Sequence, residues 1–175
     1  MALLVVTLAG CASNDPDDAD SSTTTTTEAP VGQGGHLEGD LTVTNPAFDG
    51  VSLQAQAFGD DGAYTLEAIL SNDGSTTYAA DTLCGDALVE GLRRDGELVA
   101  HRPPRDCDTA IAAFPPGDLE HPTFTWDGTL WDDVAAAYVP APPGSYDWTV
   151  GVSLRQQATD SQPTSLKATF TVVFT

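Results

Sequence analysis

Cations are scarce in this chain. Six Lys and Arg face 26 Asp and Glu, the formal net charge is −20 over 175 residues, and Lys167 is the only lysine. A surface this negative repels phosphate backbones and anionic lipid headgroups, which excludes nucleic acid as a partner. Long apolar runs are missing too. The stretch Ala2 to Leu8 is far short of the roughly 20 residues that a membrane span requires, and no later segment is long enough either. Helical periodicity is the third absence: beyond residue 40 only Trp131 to Tyr138 leaves room for a turn or two of helix.

Catalytic signatures are also lacking. The chain has no Gly-x-Ser-x-Gly elbow, no His-Glu-x-x-His and no phosphate-cradling Gly loop. His36, His101 and His121 lie far apart and read as one linker residue and two surface or turn residues. The acid pairs Asp132-Asp133 and Asp106/Asp108 follow from the abundance of Asp rather than from general acid–base chemistry. The expectation is a protein that is not an enzyme, with no metal and no cofactor.

What is present begins with Cys11. Leu8-Ala9-Gly10-Cys11 ends a short apolar segment and gives way abruptly to Ala12-Ser13-Asn14-Asp15, the pattern of a secretory signal. It resembles the lipobox of prokaryotic lipoproteins, although no basic residue precedes the apolar run. The resemblance implies that residues 1–10 are a signal peptide, that Cys11 is lipidated, and that this lipid is the membrane attachment of an envelope protein facing outside the cytoplasm. Residues 11–39 read as a tether. Four Asp between Asp15 and Asp20, the run Thr23 to Thr27 and the glycines from Gly32 to Gly35 leave almost nothing to bury. A flexible coil of this length reaches on the order of 30 Å.

With Cys11 taken for lipidation, Cys84 and Cys107 remain as an even pair. In an oxidising compartment they are expected to form a disulfide, worth roughly 3 kcal/mol in the chain-entropy picture, with two separate buried thiols as the alternative.

After residue 40 the period becomes two. Val51 to Phe58 and Tyr64 to Leu70 alternate apolar and polar residues, as half-buried strands do, and Asn72-Asp73-Gly74 stops the second with turn chemistry. Ala87 to Leu92 and Glu97 to Ala100 flank Asp95-Gly96, a strong hairpin signal. Pro122 to Trp126, Tyr146 to Leu154 and Leu166 to Phe174 supply further strands. Residues 40–175 are therefore expected to form an all-β, Ig-like antiparallel β-sandwich of seven to eight strands.

The order of these signals resembles the domain family named after the intracellular proteinase inhibitor of bacilli, the BsuPI-like family. A strand ending at Asn72 leads to the Asp95-Gly96 hairpin, then the Pro116-Gly117 turn, then Trp126-Asp127-Gly128, and last Pro143-Gly144-Ser145-Tyr146. The resemblance covers roughly residues 50–154 and implies an Ig-like sandwich, with Trp126 in its core and Tyr146 burying its ring while its hydroxyl finds a backbone partner. It carries no inhibitory residues over to this chain. His101-Arg102-Pro103-Pro104-Arg105 stands where many members place a Trp.

Four of the six cations, Arg93, Arg94, Arg102 and Arg105, fall on the hairpin and the segment leaving it. They form a candidate recognition loop, since Arg anchors are favoured at interfaces. The function expected is a non-catalytic, lipid-anchored extracytoplasmic binding module. Its alternatives are a proteinase inhibitor acting on envelope or external proteases, with Arg105-Asp106 as the bond to watch, and an accessory or scaffold subunit of an envelope complex.

Overall fold

The computed structural model describes residues 31–32, 36–60, 62–83, 87–101, 109–156 and 162–174. Cys11, Cys84, Cys107, Arg102 and Arg105 lie outside the described residues, and with them the lipidation, the disulfide, the signal peptide and most of the tether.

The fold is an all-β sandwich. Its strands are β1 (Val31–Gly32), β2 (Leu37–Thr44), β3 (Val51–Asp60), β4 (Ala63–Asn72), β5 (Tyr78–Leu83), β6 (Val89–Arg94), β7 (Glu97–Leu98), β8 (Thr109–Phe114), β9 (Leu119–Glu120), β10 (Thr123–Trp126), β11 (Thr129–Asp132), β12 (Ala137–Pro140), β13 (Gly144–Arg155) and β14 (Thr164–Phe174). Eight of them are six residues or longer, and the fourteen in all exceed the seven to eight expected. The other six are pieces of two to four residues.

One sheet runs β1-β14-β13-β5-β8, with β6 also on β13 and β7 on β6; the other runs β10-β4-β3-β2, with β9 also on β4. Among the described residues only β1 and β14 pair in parallel. Strand β13 organises the first sheet. One of its edges carries β14 from Gly144↔Phe174 to Leu154↔Thr164, while the other is divided between β6 (Tyr146 to Gly151) and β5 (Ser153 to Arg155).

The core follows from alternation. Tyr146, Trp148, Val150, Val152 and Leu154 of β13 and Leu166, Ala168, Phe170 and Val172 of β14 face Leu53, Ala55 and Ala57 of β3 and Tyr64, Leu66 and Leu70 of β4, all buried in one cluster. Each such large apolar side chain contributes about 2 kcal/mol by leaving water. At one end the rings gather around Trp126, whose centroid lies 5.5 Å from Tyr64, 5.4 Å from Tyr146 and 5.3 Å from Phe174. Trp126 is a core residue, as expected.

Three local readings change. The strand order begins ahead of residue 40: Leu37 is fully buried and pairs with Gly59, so the sandwich includes a part of the chain read as tether. Strands β5 and β8 lacked a sequence signal, because Ala79-Ala80 and Ala110-Ile111-Ala112-Ala113 do not alternate in polarity. The segment Trp131 to Tyr138 forms no helical turn. It is the hairpin β11-β12, closed where Asp132 Oδ1 accepts the amides of Val134 and Ala135 at 2.8 Å, with Trp131 edge-on to Tyr138 across the pair. That Asx turn and the left-handed Ala136 (φ 48°) reverse the chain faster than a helix would.

The expected hairpin β6-β7 forms at Asp95-Gly96, both in the left-handed region (φ 51° and 82°). This pair of positive φ values is what a two-residue turn between twisted strands requires.

Candidate functional site

The arginines come first. Arg93 Nη1 donates to Gly96 O at 2.8 Å and so closes its own hairpin. Arg94 lies over the Tyr146 ring, 5.7 Å from its centroid, and donates from Nη2 to Pro143 O at 2.8 Å. The glycine at 144 makes this possible, since a Cβ there would sit 3.0 Å from Arg94 Nε. Both described arginines of the candidate loop therefore tie backbone together. Arg155, on β13, forks onto Asp81 of β5 at 3.1 and 2.8 Å.

The structure brings together a different set of residues. Strand β6 places Glu90 and Leu92, in line with Leu88 just before it, on its inward side, with Glu90 in register with the buried Val150. A carboxylate in that position must have a partner, because isolated buried charge is strongly unfavourable. The partner is His101, whose Nε2 donates to Glu90 Oε1 at 3.0 Å; the two side chains are 9% and 2% exposed. The His101 side chain is thus largely covered against Glu90, while its backbone lies in a bend, in keeping with its reading as a turn residue. It is held there by the backbone. Trp131 N donates to Ala100 O at 2.7 Å and pins the segment after β7 to the β11-β12 hairpin.

Beside this pair opens a cleft of about 410 Å³ lined by Ala63, Tyr64, Thr65, His101, Thr125, Trp126, Asp127 and Tyr138. Its floor is the β4–β10 pairing, in which Trp126 stands opposite Tyr64. Its rim carries Asp127, whose Oδ1 accepts the Thr129 hydroxyl at 2.6 Å and the Thr129 amide at 3.0 Å. The hydroxyl bond is the main reason the Asp127 carboxyl is held below the usual carboxylate range, with a smaller electrostatic contribution from His101. The group is ionised at neutral pH. Tyr138, 47% exposed, completes the rim.

Asp106 and Asp108 lie outside the described residues, and the others weighed from the sequence have structural or solvent-facing roles. Asp132 closes the β11-β12 turn, and Asp133 Oδ1 accepts the Trp131 indole N–H at 3.0 Å. His121 is exposed. His36 is exposed between Glu38 and Asp60, and the Asp60 hydrogen bond raises its pKa above 6.5. Among the described residues no group of three or more His, Cys, Asp and Glu is placed to hold a metal ion.

A second surface is the outer edge of β8. This strand ends the order of its sheet, so among the described residues it pairs only with β5. Its stretch Ile111-Ala112-Ala113 is exposed and uncharged, Ile111 by half, beside a groove of about 220 Å³ lined also by Thr77, Tyr78, Ala79 and Gln156. The other long terminal strand, β2, carries exposed Glu38 and Asp40.

No protein-family model matches this sequence, and no curated protein does either.

Proposed function

We propose that this chain is a non-catalytic binding module, held outside the cytoplasm by a lipid on Cys11, that takes a protein partner by strand addition along β8. The observation that carries the reading is the composition of that edge. Sheet edges are ordinarily blunted by charge, proline or extreme shortness, because free N–H and C=O groups template further pairing. β8 has six residues and none of these protections. A peptide laid along it gains main-chain hydrogen bonds, and the groove beside Ile111 accepts its small apolar side chains.

The partner's chemistry follows from charge. A net charge of −20 opposes pairing with a second copy and favours an extended segment that is apolar in its centre and basic at its flanks. The tether between Cys11 and the sandwich would let the module reach such a segment away from the bilayer surface.

A photo-crosslinking residue placed at Ala112 in membrane-anchored protein in its native cells tests this. The expected result is a discrete adduct, lost when Ile111→Lys puts charge on the edge and absent when the crosslinker sits on β2. An adduct that survives Ile111→Lys, or equal labelling from β2, would overturn strand addition at β8. Cys11→Ser tests the anchor: the variant should leave the membrane fraction, and retention there would refute lipid attachment. Inhibition of trypsin-like or subtilisin-like proteases by the purified protein would favour the inhibitor reading in its place.

A further inference from the structure

The cleft beside the Glu90–His101 pair has nothing to do in strand addition at β8. Its chemistry is nevertheless selective. Among the described residues the charged or titratable side chains around it are Asp127 and Tyr138 at the rim, His101 in the wall, and Glu90 behind His101. No Lys or Arg is among its described lining residues. Two carboxylates thus face one imidazole, and the imidazole is already engaged at Nε2.

Asp127 is prepared for a ligand. Both bonds from Thr129 end on Oδ1, so they fix the carboxylate and keep it ionised while leaving Oδ2 as the oxygen for an incoming donor. Aromatic surface lies within the same cleft. Tyr138 is braced by Trp131 at a centroid distance of 5.3 Å and stays half-exposed, so its ring is the aromatic face open to a ligand, while Tyr64 and Trp126 beneath it are core rings only 2% exposed. A carboxylate beside aromatic rings attracts a cation twice over, by direct charge and by the negative faces of the rings. An anionic ligand would meet the same groups as repulsion, under a field already set by the whole chain.

We infer that this cleft binds a small organic cation, a primary ammonium or guanidinium group on an alkyl stem. The charged head sits at Asp127 and the stem lies along the exposed ring of Tyr138. The site does not use β8, so it stands or falls separately from the function proposed above.

Butylammonium and butylguanidinium are the probes, with butyrate and butanol as the charge-reversed and neutral controls. Binding is followed by amide and side-chain NMR shifts and by indole fluorescence. The expected result is saturable shifts at Asp127, Tyr138 and Trp126 with the two cations only, weakened by added salt. Asp127→Asn should lower the affinity about tenfold or more. Its amide oxygen can still accept from Thr129, so an unchanged thermal midpoint shows that the fold is kept. Tyr138→Leu, at an exposed ring, should weaken binding without altering the midpoint. The inference is overturned if butyrate or butanol shifts the same resonances equally, if Asp127→Asn binds the cations as well as the parent, or if the cations produce only non-saturating shifts spread over the acidic surface.

Discussion

Asn72 shows how much one polar side chain can organise in this molecule. It closes β4 fully buried, donates from Nδ2 to Thr76 O at 2.9 Å and Phe114 O at 3.0 Å, and accepts Gly74 N at Oδ1. The end of one sheet is thereby tied to β8 of the other. Asn72→Ala would strand two carbonyls, and we expect a loss of about 3 kcal/mol in urea denaturation, where a surface change such as Ser145→Ala costs close to nothing. The two buried tryptophans make a sharper comparison. Trp126 Nε1 donates to Thr129 O at 2.8 Å, whereas Trp148 Nε1 has no hydrogen-bond partner among the described residues. Trp126→Phe should therefore destabilise by about 1–3 kcal/mol more than Trp148→Phe.

Tyr146 adds a pH signature at the same scale. Its hydroxyl donates to Pro142 O at 2.7 Å, the backbone partner that the sequence led one to expect, and burial pushes its pKa above 10.0. The folded state thus holds the phenolic proton more tightly than the unfolded chain. The resulting stability is complete below pH 10.0 and is lost as pH rises through the raised value. Tyr146→Phe should remove that alkaline slope and cost about 1 kcal/mol at neutral pH, both read from denaturation curves at stepped pH.

At the level of elements, turns and strands that alternate in polarity were legible whatever their length, as the four-residue β10 shows, and strands without that contrast, such as the six-residue β5 and β8, were not. Asp95-Gly96 could be located because its chemistry is local: the turn needs two left-handed residues, and few other dipeptides supply them. Gly96→Ala should cost about 1 kcal/mol, since the φ of 82° disfavours a Cβ although the space around it is open, whereas Gly91→Ala lacks that backbone penalty. Thermal melts of the two variants check this. By contrast, β11 and β12 were obscured because Trp131 to Tyr138 holds a turn within a span that alternation cannot score. β8 was obscured because Ala and Ile carry no polarity contrast on an edge exposed on both faces.

The candidate site was half legible for the same reason. Alternation along β6 from Leu88 to Leu92 already assigns Glu90 to the inward face, and that was the available signal for a buried carboxylate. His101 falls opposite Glu90 in the register set by the Asp95-Gly96 turn, which pairs Arg94 with Glu97 and Arg93 with Leu98 and runs on where Val99 N donates to Leu92 O. What the sequence leaves unmarked is the cleft beside the pair, where the β11-β12 hairpin bonds to Ala100, a contact between segments 31 residues apart.

Over the whole molecule charge dominates. A domain in a chain with a net charge of −20 is strained by its own repulsion, which salt screens over a Debye length of about 8 Å at physiological strength. Thermal stability should rise with sodium chloride, by about 4 °C for each kcal/mol of repulsion relieved, and fall on dialysis into low salt. A midpoint that does not respond to salt would show that the acidic residues are spaced too widely to interact.

The sequence by itself determined the sign of the surface, the all-β class and the places where the chain turns, because charge, two-residue alternation and turn chemistry act between near neighbours. Only the tertiary structure decided which strand is left at an edge and which side chains share a cleft. Those outcomes depend on the order in which strands pair. β13 divides one edge between β6 and β5, β8 is left as the last strand of its sheet among the described residues, and the β4–β10 pairing sets Trp126 and Asp127 beside His101. No residue carries that order locally, since it is settled by how two whole apolar faces bury each other.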